Sequence, residues 1–275
     1  MKPDEYRIMY HVEDTHWWYT ALHELVLQFV PRGKSGMQIL DAGCGTGRLL
    51  QLLSTRGSAR GCDVSDAALY FCRERGLPHV VKADLNNAEL GRGRYDVITS
   101  IDVLYHRRIR DDGAVVQKLA DALRPGGTLI LQVPAYEWLR SDHDRAVHTG
   151  RRYTRPRVVH LLMRCGLQVE RATYRISFLL VPIAAARLLR RLSGRWTGPT
   201  IAASDVRQHS RAVNSLLREV MRVENFLLRR FSFPAGASVF AVARKPSGLP
   251  EQSGSLRPLT CCSCGRRTPF SMRPC

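Results

Sequence analysis

The sequence predicts an α/β protein with a doubly wound, mostly parallel sheet of seven strands and a helical insertion before the last strand. Short apolar runs alternate with segments of helical periodicity from about residue 37 to residue 134, which is the order that a parallel sheet with crossover helices requires. A glycine-rich turn follows the first apolar run, and a long arginine-rich segment separates the last two predicted strands. With 275 residues, the chain can bury one large core.

A helix is predicted in front of the sheet, within residues 1–36. Its apolar stripe has spacings of four, three and four residues and consists of Trp18, Leu22, Leu25 and Phe29. The helix should begin near Asp14 or Thr15 and end before Pro31, because proline ends a helical pattern. Trp18 therefore has a core role, whereas Trp17 lies about 100° around the helix and needs another explanation.

The alternating segments follow in chain order. Strands are predicted at 37–42, 59–63, 79–83, 95–100, 128–133, 167–174 and 238–244. Helices are predicted at 48–55, 67–75, 112–123 and 155–165, and a Pro-Gly-Gly turn at 125–127 precedes the fifth strand. Residues 37–175 and 238–245 form the predicted ligand-binding domain, whose site lies at the carboxyl ends of the first strands.

Residues 176–237 are predicted to form a basic helical insertion, or cap. The apolar run at 176–186 is too short to span a bilayer, and it suits either a core helix or an interfacial segment. A second amphipathic helix is predicted at 210–230. Its apolar face consists of Val213, Leu216, Leu217, Val220, Val223 and Leu227. Packing of the two helices over the site and contact with an anionic membrane surface both remain open, and they are compatible.

Charge is distributed unevenly along the chain. The formal net charge is +18, yet residues 1–150 sum to zero, while residues 151–235 carry 17 arginines and four acids. This asymmetry favours an anionic partner, such as lipid headgroups, a phosphorylated substrate or nucleic acid. A high-GC genome, which encodes Arg in place of Lys, is the alternative explanation for the composition.

Residues 246–275 are rich in Pro, Ser, Gly and Arg and are expected to form a disordered tail. Cys261 and Cys264 have the spacing of metal ligands, but no second pair completes a zinc site, so no metal is predicted. Four scattered cysteines are interpreted as buried, reduced thiols: Cys44, Cys62, Cys72 and Cys165. Because signal-peptide features are absent, we expect a cytoplasmic protein, with a peripheral position at the inner membrane face as an addition.

The strongest chemical signal is the stretch ILDAGCGTGR at residues 39–48. Gly43, Gly45 and Gly47 allow the backbone to approach a ligand closely, and the following helix directs its N-terminus at a polar group. The pattern departs from the G-x-G-x-x-G fingerprint of dinucleotide sites. Asp41 would repel a pyrophosphate, so the loop suits a cationic ligand with an amino group.

These residues resemble the first motif, D-x-G-x-G-x-G, of the class I S-adenosylmethionine-dependent methyltransferases. The resemblance continues over about residues 37–134, through GCDVS at 61–65, Asp84-Leu85, YDVITSIDVLYH at 95–106 and LRPGG at 123–127. It implies S-adenosyl-L-methionine as the cofactor, with Asp63 at the ribose hydroxyls. The cofactor residues that it implies are Asp41, Gly43, Cys44, Gly45, Gly47, Asp63, Val64, Asp84, Leu85, Ile101, Trp17 and Tyr19.

Two further clusters resemble a bacterial subgroup of these methyltransferases, which has an N-terminal H-W-W and a later H-x-R-R-Y. Here they are His16-Trp17-Trp18 and the stretch at 143–153, where one more residue separates histidine from the arginines. The candidates to deprotonate an acceptor are His106, His143, Asp144 and His148. The candidates to bind it are His16, Arg151, Arg152 and Tyr153. A polar loop shaped by Asp–Arg pairs is the alternative.

The predicted function is transfer of a methyl group to a small-molecule or lipid-linked acceptor, which can be anionic or contain a sugar. An RNA or DNA methyltransferase is the first alternative. The charge supports it, but no D-P-P-Y or N-P-P-Y follows the fourth strand, so nucleic acid is the weaker expectation. A non-catalytic protein that binds S-adenosylmethionine for regulation is the second alternative.

Overall fold

A computed structural model of the chain describes residues 3–192 and 210–247. Its centre is a seven-stranded sheet of order β3-β2-β1-β4-β5-β7-β6. The strands are β1 Gln38–Ala42, β2 Ser58–Asp63, β3 Val80–Lys82, β4 Tyr95–Ile101, β5 Leu123–Pro134, β6 Gln168–Arg175 and β7 Ser238–Arg244. The first five strands pair in parallel, and β7 runs antiparallel between β5 and β6. The predicted doubly wound, mostly parallel fold is confirmed.

Both faces of the sheet are covered by helices, so its central strands β1 and β4 are almost entirely buried. The helices of this layer are α3 Arg48–Leu53, α4 Asp66–Glu74, α5 Asp112–Ala122 and α7 Arg155–Arg164. Neighbouring strand residues belong to different hydrophobic clusters, as Val97 and Ile98 show, because alternate side chains point to opposite faces. The four scattered cysteines are buried free thiols, as predicted.

The Pro-Gly-Gly segment lies inside a strand, although the sequence predicts a turn there. Gly126 has a φ of 75° and donates its N–H to the carbonyl oxygen of Lys245 (2.9 Å). Lys245 in turn donates to the carbonyl of Gly127 (2.8 Å). These bonds to the segment after β7 let β5 begin at Leu123, so a partner distant in sequence overrides the local turn signal.

The N-terminal region contains two helices, α1 Pro3–Val12 and α2 Trp17–Phe29, where the sequence indicates one. Within α2, Leu22 and Leu25 are buried as their spacing predicts. The sequence analysis missed α1 because its stabilising contacts are long-range. The rings of Tyr10 in α1 and Phe71 in α4 stack with their centroids 4.7 Å apart.

The insertion between β6 and β7 contains two helices, α8 Leu180–Leu192 and α9 Arg211–Leu228. The side of α9 that is buried consists of Met221, Glu224, Asn225 and Leu228. Val213, Leu216 and Val223 of the predicted apolar face are 44%, 65% and 55% exposed. The orientation of α9 is therefore set by its polar contacts, and its apolar stripe turns outward.

Short helical segments follow β5, namely a 3₁₀ helix at Glu137–Leu139 and α6 Asp142–Ala146. In the part of the chain that the structure describes, none of the helices is both long and apolar enough to cross a membrane. The predicted tail from residue 248 onward, with its four cysteines, lies outside the described residues.

Candidate active site

A cavity of about 1040 Å³ lies at the carboxyl ends of the parallel strands, where ligand sites of this architecture are found. This volume is at the upper end of the range for ligand pockets. The predicted cofactor residues that line it are Asp41, Gly43, Cys44, Gly45, Asp63, Val64, Asp84, Leu85, Ile101, Trp17 and Tyr19. Gly47 is not among the lining residues. It is the N-cap residue of α3, and its φ of 88° places it in the left-handed region.

Two glycines of the loop have positive φ angles, and at each of them a Cβ would meet a neighbouring side chain. Gly43 has a φ of 86°, and a Cβ there would overlap the side chain of Val103. Gly45 has a φ of 56°, and a Cβ there would lie 2.7 Å from Cε of Met9 in α1. The loop is therefore a cradle of bare backbone that α1 covers.

Asp63, at the end of β2, connects that strand to the glycine loop. Its two carboxylate oxygens accept the backbone N–H groups of Gly45 (3.0 Å) and Ser65 (2.9 Å). Burial raises the pKa of Asp63 in spite of these hydrogen bonds. Each oxygen keeps a lone pair, so the carboxylate can accept two hydroxyl groups of a ligand such as a ribose.

Asp41, at the end of β1, is buried, and its carboxylate accepts a hydrogen bond from Oγ1 of Thr99 (2.7 Å). Burial raises its pKa to about 7, and the negative charges of Asp63 and Glu13 act in the same direction. A cationic ligand would relieve this cost, because an adjacent positive charge favours the ionised carboxylate. The Asp41 carboxylate thus fits a ligand that carries an amino group and a sulfonium.

Glu13, in the turn between α1 and α2, was missed by the sequence analysis. Its carboxylate accepts hydrogen bonds from Oγ1 of Thr46 in the glycine loop and from Nη2 of Arg75 (2.7 Å). The Nε of Arg75 also donates to the carbonyl of Thr46 (3.0 Å). This Glu13 clasp, formed by Glu13, Thr46 and Arg75, fixes the N-terminal helices over the loop. Burial raises the pKa of Glu13 to about 7, although both partners oppose the shift.

Aromatic and imidazole rings form the wall of the cavity that α2 contributes. The residues of this wall are His16, Trp17, Trp18, Tyr19 and His23. Nδ1 of His16 caps α2 by accepting the N–H of Trp18 (3.3 Å). Trp18 also packs on the core, as predicted, whereas Nε1 of Trp17 is buried without a hydrogen-bond partner among the described residues. Burial lowers the pKa of His23 to about 3, so its ring is neutral.

Asp102 directly follows β4 and has a φ of 54°. It lines the cavity, and its Oδ2 accepts a hydrogen bond from Nε2 of Gln132 (2.9 Å). Burial raises its pKa to about 6, against the opposing charges of Arg175 and Arg152. The sequence analysis assigned it no role, although its place at a strand end was a usable signal. Asp102 is thus a carboxylate poised to accept a proton near neutral pH.

His106 and His148, two predicted bases, both line the cavity, with their ring centroids 5.7 Å apart. Nδ1 of His106 accepts the N–H of Arg108 (3.1 Å), and burial lowers its pKa to about 4. The neutral ring therefore carries its proton on Nε2, which makes His106 a hydrogen-bond donor to the cavity. The side chain of His143 lies outside the described part of the structure.

Asp144 and Arg152 line the cavity as a mutually bonded pair. Nε and Nη2 of Arg152 donate to the two carboxylate oxygens of Asp144 (2.9 and 3.0 Å), and Nη1 donates to the carbonyl of Ala135 (2.7 Å). Burial opposes ionisation of Asp144, but the hydrogen bonds and charge of Arg152 outweigh it and lower the pKa of Asp144. The pair shapes the loop, so Asp144 is a poor base and Arg152 a poor clamp for an anion.

Arg151 and Tyr153 do not line the cavity. Arg151 donates to the carbonyl of Ile109 (2.6 Å) and pairs with Asp112 (3.3 Å), while the hydroxyl of Tyr153 donates to Asp112 (2.8 Å). Both side chains thus attach the segment after α6 to the start of α5. The substrate-binding role predicted for them is not supported by their position, and the Asp–Arg alternative describes this loop better.

Comparison with known proteins agrees with this geometry. A family model described as "Methyltransferase domain" matches residues 15–173, which include the glycine loop, Asp63 and Asp102. The matched span also includes α2, the N-terminal helix whose rings line the cavity. The family match therefore covers the cavity together with its aromatic wall.

Two curated relatives are named for different methyl-transfer reactions. A "Ubiquinone biosynthesis O-methyltransferase" of Marinobacter nauticus is 27% identical over 191 residues, which are 58% of this chain and 79% of the relative. A "Probable tRNA methyltransferase 9B" of Homo sapiens is 37% identical over 117 residues, which are 41% of this chain and only 24% of that protein.

Among solved structures, an S-adenosylmethionine-dependent methyltransferase of Mesorhizobium loti has a TM-score of 0.55 and 17% identity, over 84% of this chain and 99% of that one. At this identity the likeness concerns the fold. The family match, the relatives and the cofactor cradle agree with one another. The chain therefore belongs to the methyltransferase-domain family and is a class I S-adenosylmethionine-dependent methyltransferase.

Proposed function

We propose that the enzyme methylates a hydroxyl group of a small-molecule or lipid-linked acceptor, which can be anionic or contain a sugar. The supporting observation is that one cavity joins the glycine loop to a wall of aromatic and imidazole rings. Ile176 and Ile183 of the insertion also line it, so the acceptor space has an apolar side. A donor and an acceptor can thus lie together in a site that excludes water.

The residues present fit S-adenosylmethionine. Asp63 would hold its ribose hydroxyls, Asp41 would neutralise its positive charge, and the bare backbone at Gly43 and Gly45 would lie against it. When bound, the cofactor supplies a methyl group made electrophilic by the sulfonium. The protein's own task is then to align the acceptor and, for a hydroxyl, to remove a proton.

Asp102 is the residue that we propose accepts that proton. It lies in the cavity, its orientation is fixed by Gln132, and a pKa of about 6 leaves it ionised at neutral pH. Nε1–H of Trp17 is a buried donor that can position an acceptor oxygen. The similarity to the ubiquinone O-methyltransferase supports a hydroxyl as the acceptor group.

The experiment is transfer of a labelled methyl group from S-adenosylmethionine to a fractionated cell extract. We expect label in the lipid or small-molecule fraction. An Asp63→Ala variant serves as the negative control, because it retains the protein surface but loses the proposed ribose contact. Label confined to nucleic acid or protein would refute the proposed acceptor while leaving methyl transfer intact.

Methylation of tRNA is the second candidate, and the relatives named for it favour it, together with the net charge of +18. Against it, the cavity is walled by α2 and the insertion, so a base would have to leave its stack and enter the cavity. Label recovered in tRNA, and lost after ribonuclease treatment, would establish this alternative.

A further inference from the structure

The two helices of the insertion present aliphatic side chains to solvent. On α8, Val181 and Leu188 are seven residues apart, lie on one face and are 75% and 55% exposed. On α9, Leu216 and Val223 have the same spacing and are 65% and 55% exposed. We name this the cap surface: Val181, Leu188, Leu189, Val213, Leu216 and Val223. All six are among the exposed large hydrophobic residues of the described chain.

The orientation of α9 is fixed by polar contacts on its opposite side. The Glu224 carboxylate accepts the backbone N–H groups of Ile176, Ser177 and Phe178 at 2.6, 2.8 and 3.2 Å. The side chain of Asn225 donates to the carbonyl of Ala21 (2.7 Å). Rotating the apolar stripe inward would leave these buried groups unpaired, which is costly. The exposure of the stripe is therefore built into the fold.

A second contact holds α9 at its N-terminal end. Asn214 accepts the N–H of Trp17 and donates to the carbonyl of Thr15, both at 2.9 Å. Asn214 and Asn225 are eleven residues apart, which is three helical turns, so they lie on the same side of α9. Two points of attachment to α2 thus fix the rotation of the helix about its axis.

The sequence of the insertion carries a net positive charge. Residues 176–237 contain ten arginines and three acids, a net charge of +7. Of the acids, Glu224 is buried and Glu219 pairs with Arg222 (2.9 Å). Exposed arginines stand near both ends of α9, at Arg211, Arg229 and Arg230. Exposed aliphatic groups flanked by arginines are typical of helices that lie in the interface of an anionic bilayer.

We propose that the cap surface docks the enzyme on an anionic lipid membrane, at its inner face, with the aliphatic side chains among the acyl chains and the arginines at the headgroup phosphates. RNA would satisfy the arginines but not the aliphatic groups. A second copy of the chain would bring the same positive charge against this one in a symmetric contact. Ile183 of α8 lines the active-site cavity, so the docked helix also borders the acceptor space.

The test is co-sedimentation of the whole protein with vesicles of phosphatidylcholine, alone or mixed with phosphatidylglycerol. We expect binding to the anionic vesicles that weakens between about 0.1 M and about 1 M salt, where the Debye length falls from about 10 to 3 Å. Vesicle binding requires neither cofactor nor turnover. Failure of the proposed reaction would therefore leave this result unaffected, and the two proposals can fail separately.

The decisive variants replace exposed aliphatic side chains that do not pack in the hydrophobic core. Leu216→Ser with Val223→Ser should reduce partition into anionic vesicles roughly tenfold while leaving the melting temperature unchanged. The matched control is Val81→Ser with Met163→Ser, since both residues are 62% exposed and lie outside the insertion. It should bind vesicles like the unaltered protein.

Three outcomes would overturn the proposal. The first is equal vesicle binding by the cap-surface variant and its control. The second is a concentration-dependent dimer in sedimentation velocity that the variant abolishes, with no vesicle binding, which would identify a second copy as the occupant. The third is salt-sensitive retention of the protein on tRNA, abolished by the same variant, again without vesicle binding.

Discussion

The buried Asp41 carboxylate favours the binding of a cation and lowers the stability of the empty protein. Burial raises the pKa of Asp41, and the negative charges of Asp63 and Glu13 act in the same direction. Such an arrangement is costly in the empty protein and favourable once a cation arrives, because the cation removes the repulsion. Binding energy and stability are therefore linked at this position.

We predict that cofactor affinity falls as the pH decreases through about 7, because Asp41 must then lose a proton before it can pair with a cation. Titration calorimetry across this range should show the slope in the wild type and not in Asp41→Asn. Affinity that is independent of pH would contradict the assignment.

The raised pKa of Asp41 also predicts how the stability of the empty protein depends on pH. Since its pKa is raised from 3.8 to about 7 on folding, Asp41 stabilises the fold at low pH and loses this contribution as the pH rises through about 7. Asp41→Asn should accordingly raise the melting temperature above pH 7 and change it little below pH 4. A lower melting temperature at high pH would refute the account.

For Asp102 we predict that kcat decreases below about pH 6, where the carboxylate becomes protonated. Asp102→Asn should lower kcat by about 10²–10⁴ and leave cofactor affinity within about twofold, because general-base catalysis contributes that much. The control is Glu170→Gln, on an exposed carboxylate that pairs with Arg244 and is not among the residues that line the cavity. A kcat for Asp102→Asn like that of the control would exclude Asp102 as the base.

At the scale of elements, the N-terminal helices are part of the site. The helix α1 covers the glycine loop through Met9, and the Glu13 clasp joins the turn after α1 to that loop and to Arg75. Because the side chain of Arg75 is only 8% exposed, loss of Glu13 would leave a nearly buried charge with the more distant and more exposed carboxylate of Asp14 (3.6 Å) as its acidic partner.

We therefore expect Glu13→Ala to destabilise the fold by about 3–5 kcal/mol, and the milder Glu13→Gln to speed amide hydrogen exchange in α1 and weaken cofactor binding roughly tenfold. Hydrogen exchange of residues 3–12 provides the measurement. Asp4→Asn is the control, since its exposed carboxylate pairs with Arg7 of the same helix. Unchanged exchange in Glu13→Gln would show that the clasp does not hold the helix.

Elements could be predicted where their signal is local. The periodicity of α2, the strand–loop–helix at Asp41 and the strand at Ser238–Arg244 all follow from neighbouring residues. The rotation of α9 could not be predicted, because it depends on Glu224 and Asn225 meeting backbone groups far away in the chain. The continuation of β5 through Gly126 likewise depends on Lys245, a distant partner.

At the scale of the whole molecule, one part of the candidate site could be predicted from the sequence and another part could not. The cofactor half could be predicted, because motifs at the ends of β1 and β2 meet at one edge of a parallel sheet. The placement of Arg151 and Tyr153 beside Asp112 could not be predicted, because it depends on contacts between residues that are far apart in the chain. Asp102 and Glu13 gain their roles only from neighbours that folding brings to them.

The central claim is that the cavity holds S-adenosylmethionine through Asp63 and the glycine loop. Its most direct test is calorimetric titration of the cofactor into the wild type, Asp63→Ala and the control Glu170→Ala, whose exposed carboxylate is not among the residues that line the cavity. The account predicts tight binding by the wild type and the control, and a loss of about a hundredfold in Asp63→Ala, since hydrogen bonds to a charged group contribute about 1.5–3 kcal/mol. Equal affinity in all three proteins would contradict it.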